Sequence, residues 1–217
     1  SENMANFLDS VDILYHCAGE IRDKNRMETL HLDGTSLLIK MATGKIGRWV
    51  QLSSVGTYGL KQGGIINENS NLNPLGLYEV TKLKSDELVL SASTSGAFEC
   101  VVLRPSIVYG AEMTNKSLFN LIDMIKKNLF VFIGPKGASA NYVHVDNVIE
   151  ALYLCGKLPQ AKGQIYNISD YRTLEEFVEI ISRLLKKKAP TLRISERPMR
   201  LLVKLLSWIP KLPLSST

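Results

Sequence analysis

Tyr78 and Lys82 stand four residues apart in Leu77-Tyr-Glu-Val-Thr-Lys82, a spacing that puts a phenol and an ammonium on one face of a helix. A cation there favours phenolate and lowers the tyrosine pKa, turning a poor base into a usable general acid/base. A solvated surface pair would share this spacing, so its companions decide. Leu52-Ser-Ser-Val-Gly-Thr-Tyr-Gly59 follows an apolar run. A serine at the carboxyl end of a strand can hydrogen-bond a substrate oxygen, although the glycines equally suit a plain turn. Arg104-Pro-Ser-Ile-Val-Tyr-Gly110 ends the next run, with Pro105 a strand terminator on the structural reading. Tyr142-Val-His-Val-Asp146 precedes a helical pattern, where Asp146 suits a cap or a first-turn acid.

These residues must be carried by elements, and the apolar pattern supplies them. Residues 11–16, 49–52 and 100–103 read as strands, the last two almost uniformly apolar, as in a parallel sheet covered on both faces. Helical patterns follow at 26–42, at 78–91 (with Val80, Leu83, Leu88 and Leu90 as its apolar positions), at 118–127, 146–155 and 174–187. The last opens on a capping box, Thr173-Leu-Glu-Glu176. Strands alternating with helices predict a doubly wound parallel α/β sheet of the Rossmann type. No GxGxxG or GxxGxxG occurs, and Lys61–Gly64 and Gly134–Gly137 lack the strand-before, helix-after context. Either the protein binds no dinucleotide, or the sheet lacks the first strands that would carry such a turn.

Composition narrows the class. The 217 residues are 45% hydrophobic and 22% charged, with a net charge of +5, which excludes collagen, coiled coil and disorder. No apolar run reaches the roughly 18 residues of a membrane span, and the first residues lack a signal-peptide layout, so a soluble cytoplasmic protein without integral membrane contact is expected. Cys17, Cys100 and Cys155 are far apart without ligand spacing, which predicts three buried thiols and no metal site or disulfide. Basic residues gather in the last third, from Lys186 to Lys211, without aromatic interleaving, so nucleic acid is not an expected partner. The leucine-rich stretch 200–209 reads as a helix packed on the chain's own C-terminal part, with contact to a membrane surface or a partner as the alternative.

Taken in order, these segments resemble the extended short-chain dehydrogenase/reductase family, in its NAD-dependent nucleotide-sugar epimerase/dehydratase branch. Val11–Gly19 is similar to a strand ending in H-x-A-A/G, and His31-Leu-Asp-Gly-Thr35 to an N-V-x-G-T helix. Ser54 lies four residues before the Tyr of a YG pair, and Glu68 and Pro74 precede the YxxxK of Tyr78 and Lys82. Arg104–Gly110 is similar to RPxxVYG, Tyr142–Asp146 to V-H-V-D-D, and Gly163–Ile168 to a late strand.

The resemblance implies a partial NAD(P)-binding Rossmann domain at residues 1–110 and 142–169, and a small substrate-binding region at 111–141 and 170–217. Ser54, Tyr78 and Lys82 would be catalytic. Cys17, Ala18, Gly19, Tyr78, Lys82 and Pro105 would hold NAD or NADP, and Ser54, Tyr109 and His31 would face the substrate. His31 stands where the family carries Asn, and the segment from Gly19 to His31 is short for the family. The implied activity is epimerisation of a nucleotide-diphosphate sugar at C4. Alternatives are an oxidoreductase acting on keto-sugars, hydroxysteroids or flavonoid-type ketones, and a non-catalytic relative. Dehydratase relatives carry Thr-Asp-Glu where this chain has Ser54-Val55-Gly56. A homodimer through the YxxxK helix is also implied.

Overall fold

The computed structural model describes residues 6–60, 64–113 and 116–196; the stretch 200–209 and most of loop 61–64 lie outside them. The chain divides into two compact units, one of residues up to Gly110 together with Tyr142–Asp170, the other of Ala111–Asn141 and residues from Tyr171 onward. The elements run β1 (Ile13–His16), α1 (Lys24–Glu28), a π-helical stretch (Thr29–Gly34), α2 (Thr35–Ala42), β2 (Arg48–Leu52), a 3₁₀ turn (Val55–Tyr58) and α3 (Leu77–Thr94). Then come β3 (Glu99–Pro105), β4 (Ile107–Tyr109), α4 (Ser117–Lys126), β5 (Phe132–Ile133), β6 (Tyr142–His144), α5 (Val145–Lys157), β7 (Ile165–Ile168), α6 (Leu174–Leu184) and β8 (Arg193–Ile194).

In the first unit β1, β2, β3 and β7 form a parallel sheet in the order β1-β2-β3-β7. Trp49, Val50, Val101 and Val102 are fully buried, each contributing on the order of 1.5–3 kcal/mol. Alternate side chains go to opposite faces. Leu14, Trp49, Cys100 and Val102 meet Ala42 and Val89 on one face. Val50, Val101 and Leu103 meet Val143, Val148 and Cys155 on the other. Helices on both faces make the sheet doubly wound, as the apolar strands predict.

Three differences from the sequence reading have plain causes. β3 runs through Arg104 to Pro105, because the proline sits at the last position of the ladder, where a missing N–H costs little. Segment 26–42 is not one helix but passes through a π-helical stretch containing His31. Helix α3 buries Thr81, Lys82, Ser85, Asp86 and Val89, and not the apolar positions counted for it; Leu88 is 37% exposed. Its inward face is polar because the strands beneath it are polar toward their carboxyl ends.

The second unit holds α4 packed on α6, and the short parallel pair β5–β8. The capping box forms as predicted, with Thr173 and Glu176 satisfying each other's backbone N–H. Arg193 lies over the Phe132 ring, 4.7 Å from its centroid, and pairs with Glu175.

Candidate active site

On the face that α3 covers, the sheet changes character along its strands. Leu14, Trp49 and Cys100 lie toward the amino ends; beyond them come His16, Gln51, Ser53 and Arg104, all buried. Buried polar groups must be bonded, and α3 supplies Ser85 and Asp86 for this. Gln51 Nε2 donates to Ser85 Oγ (3.2 Å), Gln51 Oε1 accepts from Trp49 Nε1 (2.9 Å), and His16 Nδ1 lies 2.9 Å from the same oxygen. Ser53 Oγ donates to Asp86 Oδ2 at 2.6 Å, and Arg104 Nη2 reaches that oxygen at 3.3 Å. Arg104 Nη1 donates to Tyr58 Oη (3.0 Å), which donates to Asn167 (3.1 Å). Burial pushes the Asp86 carboxyl up, against the pull of Ser53, Arg104 and Lys82.

Tyr78 and Lys82 occupy the first two turns of α3. Lys82 is 3% exposed, and its Nζ donates to the carbonyl of Leu52, the last residue of β2, at 2.6 Å. Desolvation lowers its pKa, with Asp86 pulling the other way. The Tyr78 phenol is pushed up rather than down: burial is the largest cause, and Glu79 and Asp86 add to it. Desolvation and these two carboxyl groups, and not the ammonium four residues on, set the direction for this phenol.

Of the two serines after β2, Ser53 is 4% exposed and bonded to Asp86. Ser54 is only partly buried and caps the 3₁₀ turn, its Oγ accepting from Gly56 N–H at 3.0 Å, which leaves the hydroxyl proton to donate. Glu79 packs into the notch between the turn and the start of α3, where a β-carbon on Gly56 or Gly76 would collide with it. Gly59 closes the turn at φ 71°, against the Asn73 carbonyl, where only glycine fits.

The carboxyl ends of β1, β2 and β3 thus gather Cys17–Gly19, Ser54, Lys82 and Pro105. Cys17, Ala18 and Gly19 are exposed beyond the end of β1. The prediction of three buried thiols is corrected for Cys17, which is exposed because it lies past His16, the last paired residue of β1. Cys100 and Cys155 are buried, and burial raises the Cys100 thiol to about 12. Tyr109 lies on β4, edge-on to Tyr142 and to His144 in the separate β4–β6 sheet. His144 caps α5, accepting from Asp146 N–H at 3.3 Å. His31 is 2% exposed, with both ring nitrogens bonded inside the protein.

Sequence reasoning gave no role to Asp86, Arg104, Thr81 or Glu79. The signal for Asp86 was its place four residues after Lys82, on the same helix face. Among the described residues no cluster of His, Cys, Asp and Glu suits a metal ion, and no helix is long and apolar enough to cross a membrane.

Comparison with known proteins identifies the family and the fold. Residues 1–169 match the profile of the NAD dependent epimerase/dehydratase family. An uncharacterized UDP-glucose epimerase of Bacillus subtilis is 25% identical over 208 residues, covering 90% of this chain and 65% of its own. A UDP-glucose 4-epimerase of Vibrio cholerae is 23% identical over 177 residues, covering 75% of this chain and 53% of its own. The fold matches that of UDP-glucuronic acid 4-epimerase from Bacillus cereus, solved in complex with NAD, at a TM-score of 0.73 and 20% identity, over 88% of this chain and 66% of that one. The chain thus spans between about half and two thirds of the relatives it matches.

Proposed function

Because this chain belongs to the NAD dependent epimerase/dehydratase family, we propose that it carries the catalytic residues of a nucleotide-diphosphate-sugar 4-epimerase. The observation that bears most weight is Lys82, buried one turn beyond Tyr78 and bonded to the carbonyl that ends β2, two residues before Ser54. This supports a site in which an ammonium, a phenol and a serine hydroxyl act together at one end of the sheet.

The donor set suits the nicotinamide ribose of NAD or NADP. Lys82 uses one of its three N–H groups on Leu52, and an ammonium with donors to spare beside a phenol matches a vicinal diol. Cys17–Gly19 would pass along the cofactor and Pro105 would pack beside the nicotinamide. The bound cofactor would supply the hydride chemistry, taking hydride from sugar C4 and returning it to the opposite face. Tyr78 would take the 4-hydroxyl proton and give it back, and Ser54 would hydrogen-bond the same oxygen. Tyr78 would have to begin as phenolate, which Lys82 would favour against the burial that raises the phenol's pKa, and the proton it takes up would be the one it gives back in the return step.

The first unit is assigned the cofactor and the chemistry, the second the nucleotide sugar. A homodimer would use the shallow groove lined by Leu32, Ser36, Lys84, Glu87 and Leu88. The deciding experiment incubates the protein with UDP-sugars and a catalytic amount of NAD or NADP. Formation of the C4 isomer is expected, and Tyr78→Phe should slow it by about 10²-fold or more. Stoichiometric consumption of NAD(P)H would overturn the epimerase reading in favour of a reductase.

A further inference from the structure

We propose that His31 is a positioning residue that ties the segment after β1 to the first turn of the helix bearing Tyr78, through one neutral tautomer. The proposal rests on the reading of Tyr78 as the acid/base.

The bonding admits a single arrangement of protons. The backbone N–H of Glu20 points at His31 Nε2 at 2.9 Å, and a backbone N–H can only donate, so Nε2 is the acceptor. The ring proton therefore sits on Nδ1, which lies 2.7 Å from Thr81 Oγ1. Thr81 in turn donates to the carbonyl of Leu77 (2.9 Å) or Tyr78 (3.1 Å) in the first turn of α3. One run of bonds thus leads from Glu20 through His31 and Thr81 to the first-turn backbone of α3, at Leu77 or Tyr78. The His31 ring also meets the Tyr78 ring edge-on, with centroids 5.8 Å apart. On the loop side, Glu20 is a fixed anchor, because its carboxylate accepts from the N–H groups of Arg22 (2.7 Å) and Asp23 (3.2 Å). Gly19 lies against the ring, its β-carbon position 3.6 Å from Nε2. His31 reaches both partners from the π-helical stretch, a geometry found frequently at functional sites.

A cationic ring does not fit this place. With both nitrogens protonated, two donors would oppose each other at Glu20, and the ring would carry charge at 2% exposure. Of the groups facing it, Lys82 on α3 and His16 on β1 disfavour the cation, and Glu20 favours it. Burial is the largest influence, and the pKa falls to about 4.

The test uses the full 217-residue chain without cofactor. Imidazole ¹⁵N spectra should show His31 with its proton on Nδ1 and neutral at pH 6. In His31→Phe, which keeps a ring and removes both nitrogens, exchange of the Glu20 amide should accelerate roughly tenfold or more. The phenolate absorbance midpoint of Tyr78, read as a difference from Tyr78→Phe, should shift with it. His31→Gln, whose amide can accept and donate, should move both readouts back toward wild type. A proton on Nε2, or a cationic His31 at pH 6, overturns the proposal without any variant. So does a folded His31→Phe with unchanged Glu20 exchange, or one in which the Tyr78 midpoint stays put. Failure to turn over any nucleotide sugar would sink the epimerase reading while leaving these readouts intact.

Discussion

Helices α3 and α5 cover opposite faces of one parallel sheet with opposite chemistry. α5 lays Val148 and Cys155, with Ala151 and Leu152, on Val50, Val101 and Leu103. α3 lays Thr81, Lys82, Ser85 and Asp86 over His16, Gln51, Ser53 and Arg104, and only toward its C-terminal end does it turn apolar, where buried Val89 and the partly buried Leu90 and Ala92 join Trp49 and Cys100 in one cluster. An apolar cover stabilises roughly in proportion to area, about 25 cal/mol per Å², and each residue contributes nearly on its own. A polar cover gains only about 0.5–1.5 kcal/mol net per bond and loses more when one partner is removed. The residues under α3 are therefore interdependent, and Tyr78 and Lys82 sit at the end of their network. If Tyr78 and Lys82 act as proposed, directional bonds beneath them fix their orientation in a way that non-directional apolar contacts do not.

If this contrast holds, the costliest single break lies under α3. Asp86→Ala should destabilise the protein by about 3–5 kcal/mol, because it leaves Arg104 (1% exposed) and Lys82 (3% exposed) without their buried counter-charge. Asp86 Oδ1 and Arg104 Nε already lack hydrogen-bond partners among the described residues, so the pair has no slack. Replacing both partners, as in Asp86→Leu with Arg104→Met, should recover most of the loss. Urea denaturation of the single and double variants checks this, and a single-variant loss under about 1 kcal/mol would show that Asp86 is not the counter-charge of this network.

The next effect depends on pH. The folded pKa of His31 is about 4 against an ordinary 6.5, and His16 is lowered in the same direction, both chiefly by burial. Between these values the unfolded chain binds a proton that the folded chain refuses, so stability falls as pH drops from 6.5 toward 4. For His31 the loss should approach roughly 3 kcal/mol at the low end. Comparing wild type with His31→Gln isolates it, since Asp86 titrates in both. A difference that stays flat over this window would mean that His31 is protonated in the fold.

The apolar half of this contrast was legible in the sequence and the polar half was not. Runs such as Cys100–Leu103 announce a sheet buried on both faces, and the capping box marks the start of α6 to the residue. The motif around Tyr78 and Lys82 placed both on one helix near a strand end. Periodicity, however, finds a helix's inner face by its apolar residues, and in α3 that rule selects Val80, Leu83, Leu88 and Leu90 while the structure buries Thr81, Lys82, Ser85 and Asp86. Nothing local reveals that Gln51 and Arg104, inside apolar strands, will meet a polar helix. The same blindness hid the tie from His31 to Thr81, which spans 50 residues of sequence.

On the apolar side, truncation should act locally. Val148→Ala on α5 should cost about 2 kcal/mol, from the lost methyl groups and the small cavity they leave. It should leave the Tyr78 phenolate midpoint unchanged, because the sheet separates the two covers. Thermal unfolding and the absorbance titration read the two effects separately. A shifted midpoint would show that the covers are coupled through the sheet.

The smallest expected effect tests which way α3 faces. Leu88 is the most apolar-looking position of the predicted pattern, yet it is 37% exposed, while its neighbour Val89 is fully buried. Leu88→Gln should change stability by no more than about 0.5 kcal/mol. Val89→Ala, one residue on, should cost about 2 kcal/mol for the same reason as at Val148. Measured side by side on protein diluted until it is monomeric, so that a lost dimer contact at Leu88 does not register, the pair fixes the rotation of the helix about its axis. If Leu88→Gln proves the more damaging, α3 presents its leucines inward, and the polar face that positions Lys82 and Tyr78 is assigned to the wrong side.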